Sequence, residues 1–268
     1  MTFARPAIMG IVNVTPDSFS DGGAFSDAQA AIDHGIELAR DGASILDVGG
    51  ESTRPGADEV SVDTELARVL PVIEGLTRET NARISIDTRK PVVATAAIDA
   101  GASIWNDVSA LSFDVGSIEK AASLDCDIVL MHAQGTPQNM QDQPTYVDPV
   151  SEIKAYLSGR VELCVAAGIA RNRLIVDPGI GFGKTTAHNV ALLSGIKKLM
   201  LPGVRMLVGA SRKRFIASLD RDGSPSERLG GSLAAALAAA RDGADIVRVH
   251  DVAETRQALA VSRAIYNT

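Results

Sequence analysis

AIMGIVNVTPD, residues 7–17, is the stretch that decides the fold. It begins as an apolar run typical of a buried strand and turns polar at Asn13. An open, doubly wound dinucleotide-binding sheet would require a G-x-G-x-x-G turn directly after such a first strand. Residues 13–17 contain no glycine. The stretch therefore argues against this open sheet, which is the main alternative for a chain of alternating strands and helices.

Further apolar runs follow along the chain, and longer segments rich in alanine and leucine separate them. Strands are predicted at Ala7–Val14, Ile45–Val48, Arg83–Asp87, Ile104–Val108, Ile128–His132, Leu174–Asp177, Arg205–Gly209 and Ile246–His250. Helices are predicted, among others, at Ala28–Arg40, Val60–Leu76, Pro91–Asp99, Ser151–Ala167, His188–Leu199, Leu229–Arg241 and Ala253–Ile265. Eight strands that alternate with helices predict an α/β fold, the (β/α)8 TIM barrel. The 268 residues fit a single domain over residues 1–268, since such barrels take about 250 residues.

Composition excludes several classes of function. The net charge of −7, from 26 basic and 33 acidic residues, opposes general nucleic-acid binding, which needs a basic face. No run approaches the roughly 20 apolar residues of a membrane span, and Met1–Ala7 does not resemble a signal peptide. The cysteines, Cys126 and Cys164, lack metal-ligand spacing, so we expect no disulfide and a reducing cytoplasm.

Polar residues stand where most of the predicted strands end. They are Asn13, Asp87, Asn106, Asp177, Arg248 and His250. Because catalytic groups of a closed barrel come from the C-terminal ends of its strands, these side chains are predicted to line one pocket. Arg248 and His250 share a face of their strand, and such a basic pair is costly to desolvate unless an anion meets it. The pocket is therefore expected to accept an anionic group.

Two glycine-rich or basic segments follow strands 6 and 7. Asp177–Thr185 lacks the glycine spacing of a Walker A loop, but it is a turn that lets backbone approach a ligand and leaves Phe182 free to stack on a flat ring. Ser211 is expected to cap the next helix, whose N-terminus would bind an anion. Lys213 is expected to turn inward toward Asp177.

Other loop and strand-end residues are harder to assign. The long polar loops Thr15–Asp27 and Glu51–Val60 are predicted to be functional lids, with Glu51 left without a role. Met131 and His132 are neighbours on a strand and point to opposite sides, so only one of them can face the pocket.

Eight blocks of sequence resemble the signatures of the dihydropteroate synthases, a family of pterin-binding TIM barrels. They are Met9–Gly23, Asp47–Gly56, Ser85–Thr88, Asn106–Asp107, Met131–His132 with Gln134–Pro137, Asp177–Lys184, Ser211–Lys213 and Arg248–Asp251. They occur in the family's order and span nearly the whole chain. The resemblance implies a folate-pathway transferase, a target of sulfonamides. It would join 6-hydroxymethyl-7,8-dihydropterin pyrophosphate to p-aminobenzoate, giving 7,8-dihydropteroate and pyrophosphate.

The resemblance also implies roles for individual residues. Catalytic roles fall to Asp87, Lys213, Arg248 and His250. Pterin binding falls to Asp87, Asn106, Met131, Asp177, Phe182 and Lys213, and pyrophosphate binding to Asn13, Arg248 and His250. Aminobenzoate binding falls to Phe19, Thr53, Arg54, Pro55, Phe182, Ser211 and Lys213. Mg²⁺ would be held by Asn13 together with the diphosphate, and a homodimer fits the family, although the sequence shows no patch that would form its interface.

Three alternatives are weighed against this interpretation. A pterin-dependent methyltransferase barrel acting on methyltetrahydrofolate would share the strand-end Asp and Asn residues, but it has no need of the basic pair on strand 8. A catalytically inactive barrel could bind pterin without turnover. A phosphosugar barrel would carry a phosphate site after strands 7 and 8, but it needs no Asp and Asn pairing for a flat heterocycle. Release of pyrophosphate separates the first of these from a synthase.

Overall fold

The computed structural model describes residues 6–14, 24–52, 56–135, 139–140, 142 and 144–266, with only the backbone for 24–27. Its strands form one closed, all-parallel barrel in the order β1 to β8, and β1 pairs with β8 to close it. The strands are β1 Ala7–Asn13, β2 Ile45–Gly49, β3 Arg83–Asp87, β4 Ile104–Asp107, β5 Asp127–Met131, β6 Leu174–Asp177, β7 Arg205–Val208 and β8 Ile246–Val249. The predicted TIM barrel is confirmed.

Helices cover the outside of the barrel. They are α1 Ala24–Asp41, α2 Val62–Glu79, α3 Pro91–Asp99, α4 Ser117–Ser123, α5 Pro149–Ala166, α6 Thr186–Ser194, α7 Ile196–Leu199, α8 Arg214–Leu219, α9 Leu229–Arg241 and α10 Val252–Tyr266. Short 3₁₀ turns at Arg171–Arg173 and Pro225–Arg228 precede β6 and α9. Among the described residues, no helix has both the length and the apolar character needed to cross a membrane.

The helix boundaries differ from the predicted ones where caps and glycines decide them. The backbone is helical from Ala24, four residues before the predicted start at Ala28, while α2 begins later than predicted because Ser61 caps it and accepts a hydrogen bond from the amide of Thr64. The predicted single helix His188–Leu199 breaks at Gly195 into α6 and α7. Glycine is a poor residue for a helix interior, so a break at this position is physically expected.

Alternation along each strand separates two apolar cores. One side chain from seven of the strands fills the barrel interior, namely Met9, Ile45, Ile104, Val129, Ile175, Leu207 and Ile246. Their neighbours, such as Ile8, Leu46 and Leu130, point outward and pack under the helices. Full burial of each such aliphatic side chain stabilises the fold by about 1.5–3 kcal/mol. The inner layer therefore makes a rigid floor, and whatever lies two residues further along a strand sits directly above it.

Candidate active site

The residue two positions beyond the floor is polar on several strands. Asp47 follows Ile45, Asn106 follows Ile104, Asp177 follows Ile175 and Arg248 follows Ile246. Since side chains two apart on a strand share a face, all four point into the mouth of the barrel at its C-terminal end. The mouth therefore brings together four of the predicted strand-end residues. Arg248 contacts Asp87 directly and shares Asp47 with Asn106, while the charge of Asp177 acts on Arg248.

Arg248 is the centre of a buried network of charges. Its Nε donates to Asp47 Oδ2 at 2.6 Å, and its Nη2 donates to Asp87 Oδ2 at 2.9 Å. Asn106 Nδ2 donates to the same Asp47 oxygen at 3.1 Å. Asp47 is fully buried, and its Oδ1, like Oδ1 of Asp87, has no hydrogen-bond partner among the described residues. The network therefore offers buried acceptors that a ligand with N–H donors can satisfy.

Burial and charge shift the pKa values of these groups. Burial raises the pKa of Asp87 to about 7, and repulsion from Asp47 adds to this, while the Arg248 guanidinium opposes it. Burial alone would lower the pKa of Arg248, but attraction to Asp47 and Asp87 outweighs it and the net direction is upward. Asp87 therefore stands close to the point at which it exchanges a proton near neutral pH, as groups in active sites often do.

Asp177 and Lys213 form the other side of the mouth. Lys213 turns inward as predicted, donates to the carbonyl oxygen of Ile180, and places its Nζ 4.3 Å from the centre of the Phe182 ring. Burial lowers the pKa of Lys213 to about 8, and the field of Asp177 opposes the shift. Asp177 Oδ1 accepts the amide proton of Gly179 at 2.7 Å, and burial raises the pKa of Asp177 against the pull of Lys213. One wall of the mouth therefore carries the Lys213 ammonium, the Asp177 carboxylate and the half-buried ring of Phe182.

The predicted capping role of Ser211 is wrong. Helix α8 begins only at Arg214, with Lys213 at its N-cap and no side-chain capping bond. Arg212 adopts a positive φ of 57°, so the chain makes one more turn before the helix starts. The Ser211 hydroxyl instead lies 3.0 Å from Nδ1 of His250 and accepts the His250 amide proton at 3.2 Å. Ser211 thus orients the imidazole of the strand-8 pair.

Asn13 ends β1 and lies in register with Gly49 of β2. Its side-chain oxygen is a hard ligand of the kind Mg²⁺ takes, and Mg²⁺ usually keeps several waters and binds substrate phosphates. Within the described ranges no three acidic, histidine or cysteine side chains group to hold a metal. Asn13 would therefore suit a Mg²⁺ ion as one neutral oxygen ligand beside waters and phosphate oxygens.

The aminobenzoate assignments fall partly outside the described residues. Phe19, Thr53, Arg54 and Pro55 lie there, as does most of the predicted lid Thr15–Asp27. In the second predicted lid, Glu51–Val60, the residues on either side of Thr53–Pro55 are described. Glu51, which had no predicted role, has a structural one. Its carboxylate accepts the Val60 amide proton at 2.8 Å and pairs with Arg89 and Lys90 from the turn after β3. Glu51 therefore closes the loop that carries the Thr53–Pro55 segment.

Met131 and His132 divide as the alternation of β5 requires. Met131 shares a face with Val129, which lies in the interior floor, so it points into the mouth. His132 points outward and packs edge-on against Tyr156, with ring centres 4.9 Å apart. Burial lowers the pKa of His132 to about 3, so its ring is neutral. Met131 is the member of the pair that reaches the pocket.

Several residues of the site were given no role from the sequence. Asp47 stands in the middle of β2, away from the C-terminal strand end where the catalytic groups of a barrel are expected. An aspartate inside the run ILDVG is nevertheless a signal, because a buried carboxylate in a strand needs a partner. Lys184, buried beneath the loop after β6, gave no signal beyond its place in the Gly-rich segment.

The closed barrel with buried carboxylates, an amide and two cations at its mouth has the form of an enzyme's active site. A family model described as pterin binding enzyme matches residues 9–250. Dihydropteroate synthase of Escherichia coli K12 is 47% identical over 264 residues, covering 98% of this chain and 93% of the relative. A structure of Xanthomonas albilineans dihydropteroate synthase with 4-aminobenzoic acid superposes with a TM-score of 0.93 at 49% identity, covering 100% and 96% of the two chains. The same enzyme in complex with 7,8-dihydropteroate gives a TM-score of 0.90 at 46% identity, with 100% and 96% covered.

The chain belongs to the dihydropteroate synthase family, whose members are transferases of folate synthesis. The expected family and activity are confirmed, and the relatives do not favour the methyltetrahydrofolate-dependent methyltransferase.

Proposed function

We propose that the barrel mouth joins the methylene carbon of 6-hydroxymethyl-7,8-dihydropterin pyrophosphate to the amine of p-aminobenzoate. The observation that carries this assignment is the convergence of Asp177, Lys213, Asn106 and the Arg248–Asp87 pair above one apolar floor. A pterin edge alternates donors and acceptors, and these groups can match it. A mismatched heterocycle would leave buried groups unpaired, which supplies specificity.

The ring would lie between Met131 and the stem of Arg248. Asp177 accepts from the 2-amino group and ring N–H, Asn106 pairs with the adjacent edge, and Lys213 donates to the carbonyl and N5. Asp87 accepts at the other edge of the ring. Lys213 and Phe182 are already held together in the described structure, so this wall needs little rearrangement when the ring binds.

In the transfer, the bond between the methylene carbon and the diphosphate oxygen breaks, and the electron pair leaves with pyrophosphate. The amine nitrogen forms the new C–N bond, and its proton passes to the released pyrophosphate or to water. Negative charge at Asp87 and Asp47 stabilises cationic character on the pterin as the bond breaks. Arg248 and His250 would face the departing diphosphate, and the Ser211 hydroxyl would hold the imidazole in place. Asn13, together with the diphosphate, would hold a Mg²⁺ ion, which would supply further positive charge for the leaving group.

The second substrate would bind beside Lys213 and Phe182, with its carboxylate toward Ser211 and the turn before α8. Phe19, Thr53, Arg54 and Pro55 would close over it and exclude water from the cation. In support, a relative of 49% identity and TM-score 0.93 was solved with 4-aminobenzoic acid. Another of 45% identity was solved with a sulfonamide drug. Sulfonamides are therefore expected to compete for this subsite.

Pyrophosphate and Mg²⁺ should raise the affinity of p-aminobenzoate. The lids carry Gly22, Gly23 and Gly56, so ordering them is entropically costly, and an aminobenzoate has too few atoms to offset that cost alone. A diphosphate tied to Asn13, Arg248 and His250 would order the first lid beforehand. The expected effect is about tenfold or more, within the usual range of coupling between sites.

Calorimetric titration of aminobenzoate with and without pyrophosphate and Mg²⁺ measures this coupling. A third titration with Mg²⁺ and sulfate controls for charge alone. Equal affinity in all three titrations would show that the lids do not close on the diphosphate, even in an active enzyme.

The setting of the enzyme is also part of the proposal. A reducing compartment such as the cytoplasm is proposed because Cys126 and Cys164 are both buried as free cysteines. Assembly as a homodimer is proposed from the family resemblance alone. Binding of nucleic acid is not expected, because the chain carries a net charge of −7.

A further inference from the structure

Lys184 is a buried lysine that the reaction as described above does not use. Only 3% of its surface is exposed, and its Nζ lies 2.8 Å from the Phe182 carbonyl oxygen, 3.1 Å from the His132 carbonyl oxygen and 3.1 Å from His132 Nδ1. Three acceptors match the three protons of an ammonium group. Its direct hydrogen-bond partners in the described structure are neutral, although the field of Asp177 favours the charged form of the lysine. Burial makes a charged lysine costly at this position, which calls for an explanation beyond packing.

The two loops that Lys184 joins are packed together at the level of the backbone. Gly179 and Gly183 have positive φ values of 67° and 61°, and a Cβ on either would collide with a carbonyl oxygen of the loop after β5, that of His132 or that of Gln134. The hydroxyl of Tyr146 donates to the Gly183 carbonyl at 2.9 Å. The described parts of the loops after β5 and β6 therefore pack as one unit, with the Lys184 ammonium between them.

The mouth side of this unit carries the groups that face the second substrate. Ile180 offers its carbonyl to Lys213, and the Phe182 ring lies 4.3 Å from the Lys213 ammonium. The carbonyl of the same Phe182 is an acceptor of Lys184. Lys184 lies outside the barrel and holds the backbone of Phe182. The ring of the same Phe182 covers Lys213 at the mouth.

We propose that Lys184 is a positioning residue for the p-aminobenzoate subsite, tying the loop after β6 to His132 and thereby holding the Phe182 ring against Lys213. The inference rests on the proposed function, since it takes Phe182 and Lys213 as the wall of that subsite. It gives Lys184 no contact with either substrate. It also predicts that a change at this position weakens the pterin far less than the aminobenzoate, because the pterin keeps its contacts with Asp87, Asn106 and Asp177 in addition to the Lys213 wall.

Lys184→Met tests the proposal, because methionine keeps the length of the side chain and removes all three hydrogen bonds. The KM for p-aminobenzoate should rise about tenfold, equivalent to about 1.4 kcal/mol, while kcat and the Kd for pterin pyrophosphate change by less than about threefold. A loss of stability alone would not divide the two substrates in this way. Equal weakening of both substrates, or an unchanged KM for aminobenzoate, overturns the proposal.

Two further variants control the result. Lys154→Met removes an exposed lysine that also donates to a carbonyl, that of Lys198 at 2.6 Å, and should leave both substrates unaffected. Tyr146→Phe removes the second side-chain tie to the same loop and should raise the KM for aminobenzoate by a smaller factor. If Lys184→Met does not fold, Tyr146→Phe decides the matter, and an unchanged KM in that variant overturns the proposal.

Lys213→Met separates this inference from the proposed function. If Lys213→Met binds aminobenzoate as well as the unmodified enzyme, the subsite itself is misplaced. If Lys213→Met loses affinity while Lys184→Met and Tyr146→Phe do not, the subsite stands and only the positioning role of Lys184 fails.

Discussion

Asp177→Ala should lose pterin binding by a hundredfold or more while the protein still folds. The carboxylate accepts two hydrogen bonds from the ring in our assignment, and hydrogen bonds to a charged group contribute about 1.5–3 kcal/mol each. The residue caps the mouth rather than filling the floor, so its side chain adds little to the core. Titration calorimetry with a free pterin, together with thermal unfolding, measures both effects.

The hydrogen bond between Asp177 and the Gly179 amide makes a second variant, Asp177→Asn, necessary beside Asp177→Ala. Asp177 also accepts the Gly179 amide proton at 2.7 Å, so alanine removes a bond within the turn as well as the ligand's acceptor. Asp177→Asn keeps an oxygen for Gly179 but removes the charge and one acceptor. Both variants should lose pterin affinity, and only the alanine should lose about 1 kcal/mol of stability. Unchanged pterin affinity in Asp177→Asn would exclude Asp177 as the recognition residue.

Arg248→Met should cost about 3–5 kcal/mol of folding stability at neutral pH and abolish turnover, because it leaves two buried carboxylates without their cation. Arg248 pairs with Asp47 at 2.6 Å and with Asp87 at 2.9 Å, and Asp47 is fully buried. The guanidinium also lowers the pKa of Asp87, which burial nevertheless holds at about 7. Urea unfolding and steady-state turnover measure the two losses.

The stability loss in Arg248→Met should depend on pH with a definite sign. Without the guanidinium, the pKa of Asp87 rises further above its unfolded value, so the folded protein takes up protons more readily than the unfolded one. The stability gap to the unmodified enzyme should therefore widen as pH rises above about 7 and stay nearly constant at lower pH, where Asp87 is protonated in both proteins.

A second variant and a control check the cause of that loss. Adding Asp47→Asn to Arg248→Met should recover part of the stability and none of the activity. Arg212→Met removes a more exposed arginine, paired with Asp251, and should cost only about 0–1 kcal/mol. A pH-independent loss, or equal losses in the Arg248 and Arg212 variants, would contradict the network account.

The fold and much of the mouth follow from two patterns in the sequence. One is the two-residue alternation within each strand, and the other is the repeated succession of strand and helix. Alternation in β4, β6 and β8 places Asn106, Asp177 and Arg248 on the same inner side as the aliphatic floor, and eight strands close the sheet. Asp47 follows the same alternation, but it stands inside its strand, so its position does not mark it as a strand-end residue of the site. Its role depends on a distant arginine that reaches across the barrel, 201 residues along the chain.

What the sequence could not supply depends on turns and on contacts between loops. The capping role expected of Ser211 fails because the positive φ of Arg212 delays the helix, and no sequence pattern marks that turn. The bond of Lys184 to His132 joins two loops that alternation does not describe, 52 residues apart. The roles of Phe19, Thr53, Arg54 and Pro55 stay predictions, since they lie outside the described residues.

The central claim is that this barrel mouth transfers a pterin methylene group to an arylamine with loss of pyrophosphate. The most direct measurement is a product assay on the purified chain with 6-hydroxymethyl-7,8-dihydropterin pyrophosphate, p-aminobenzoate and Mg²⁺, quantifying 7,8-dihydropteroate and pyrophosphate together. The account predicts equal amounts of both products, and no dihydropteroate when either substrate is omitted. Tight pterin binding without pyrophosphate release would contradict it, as would demethylation of methyltetrahydrofolate in place of this reaction.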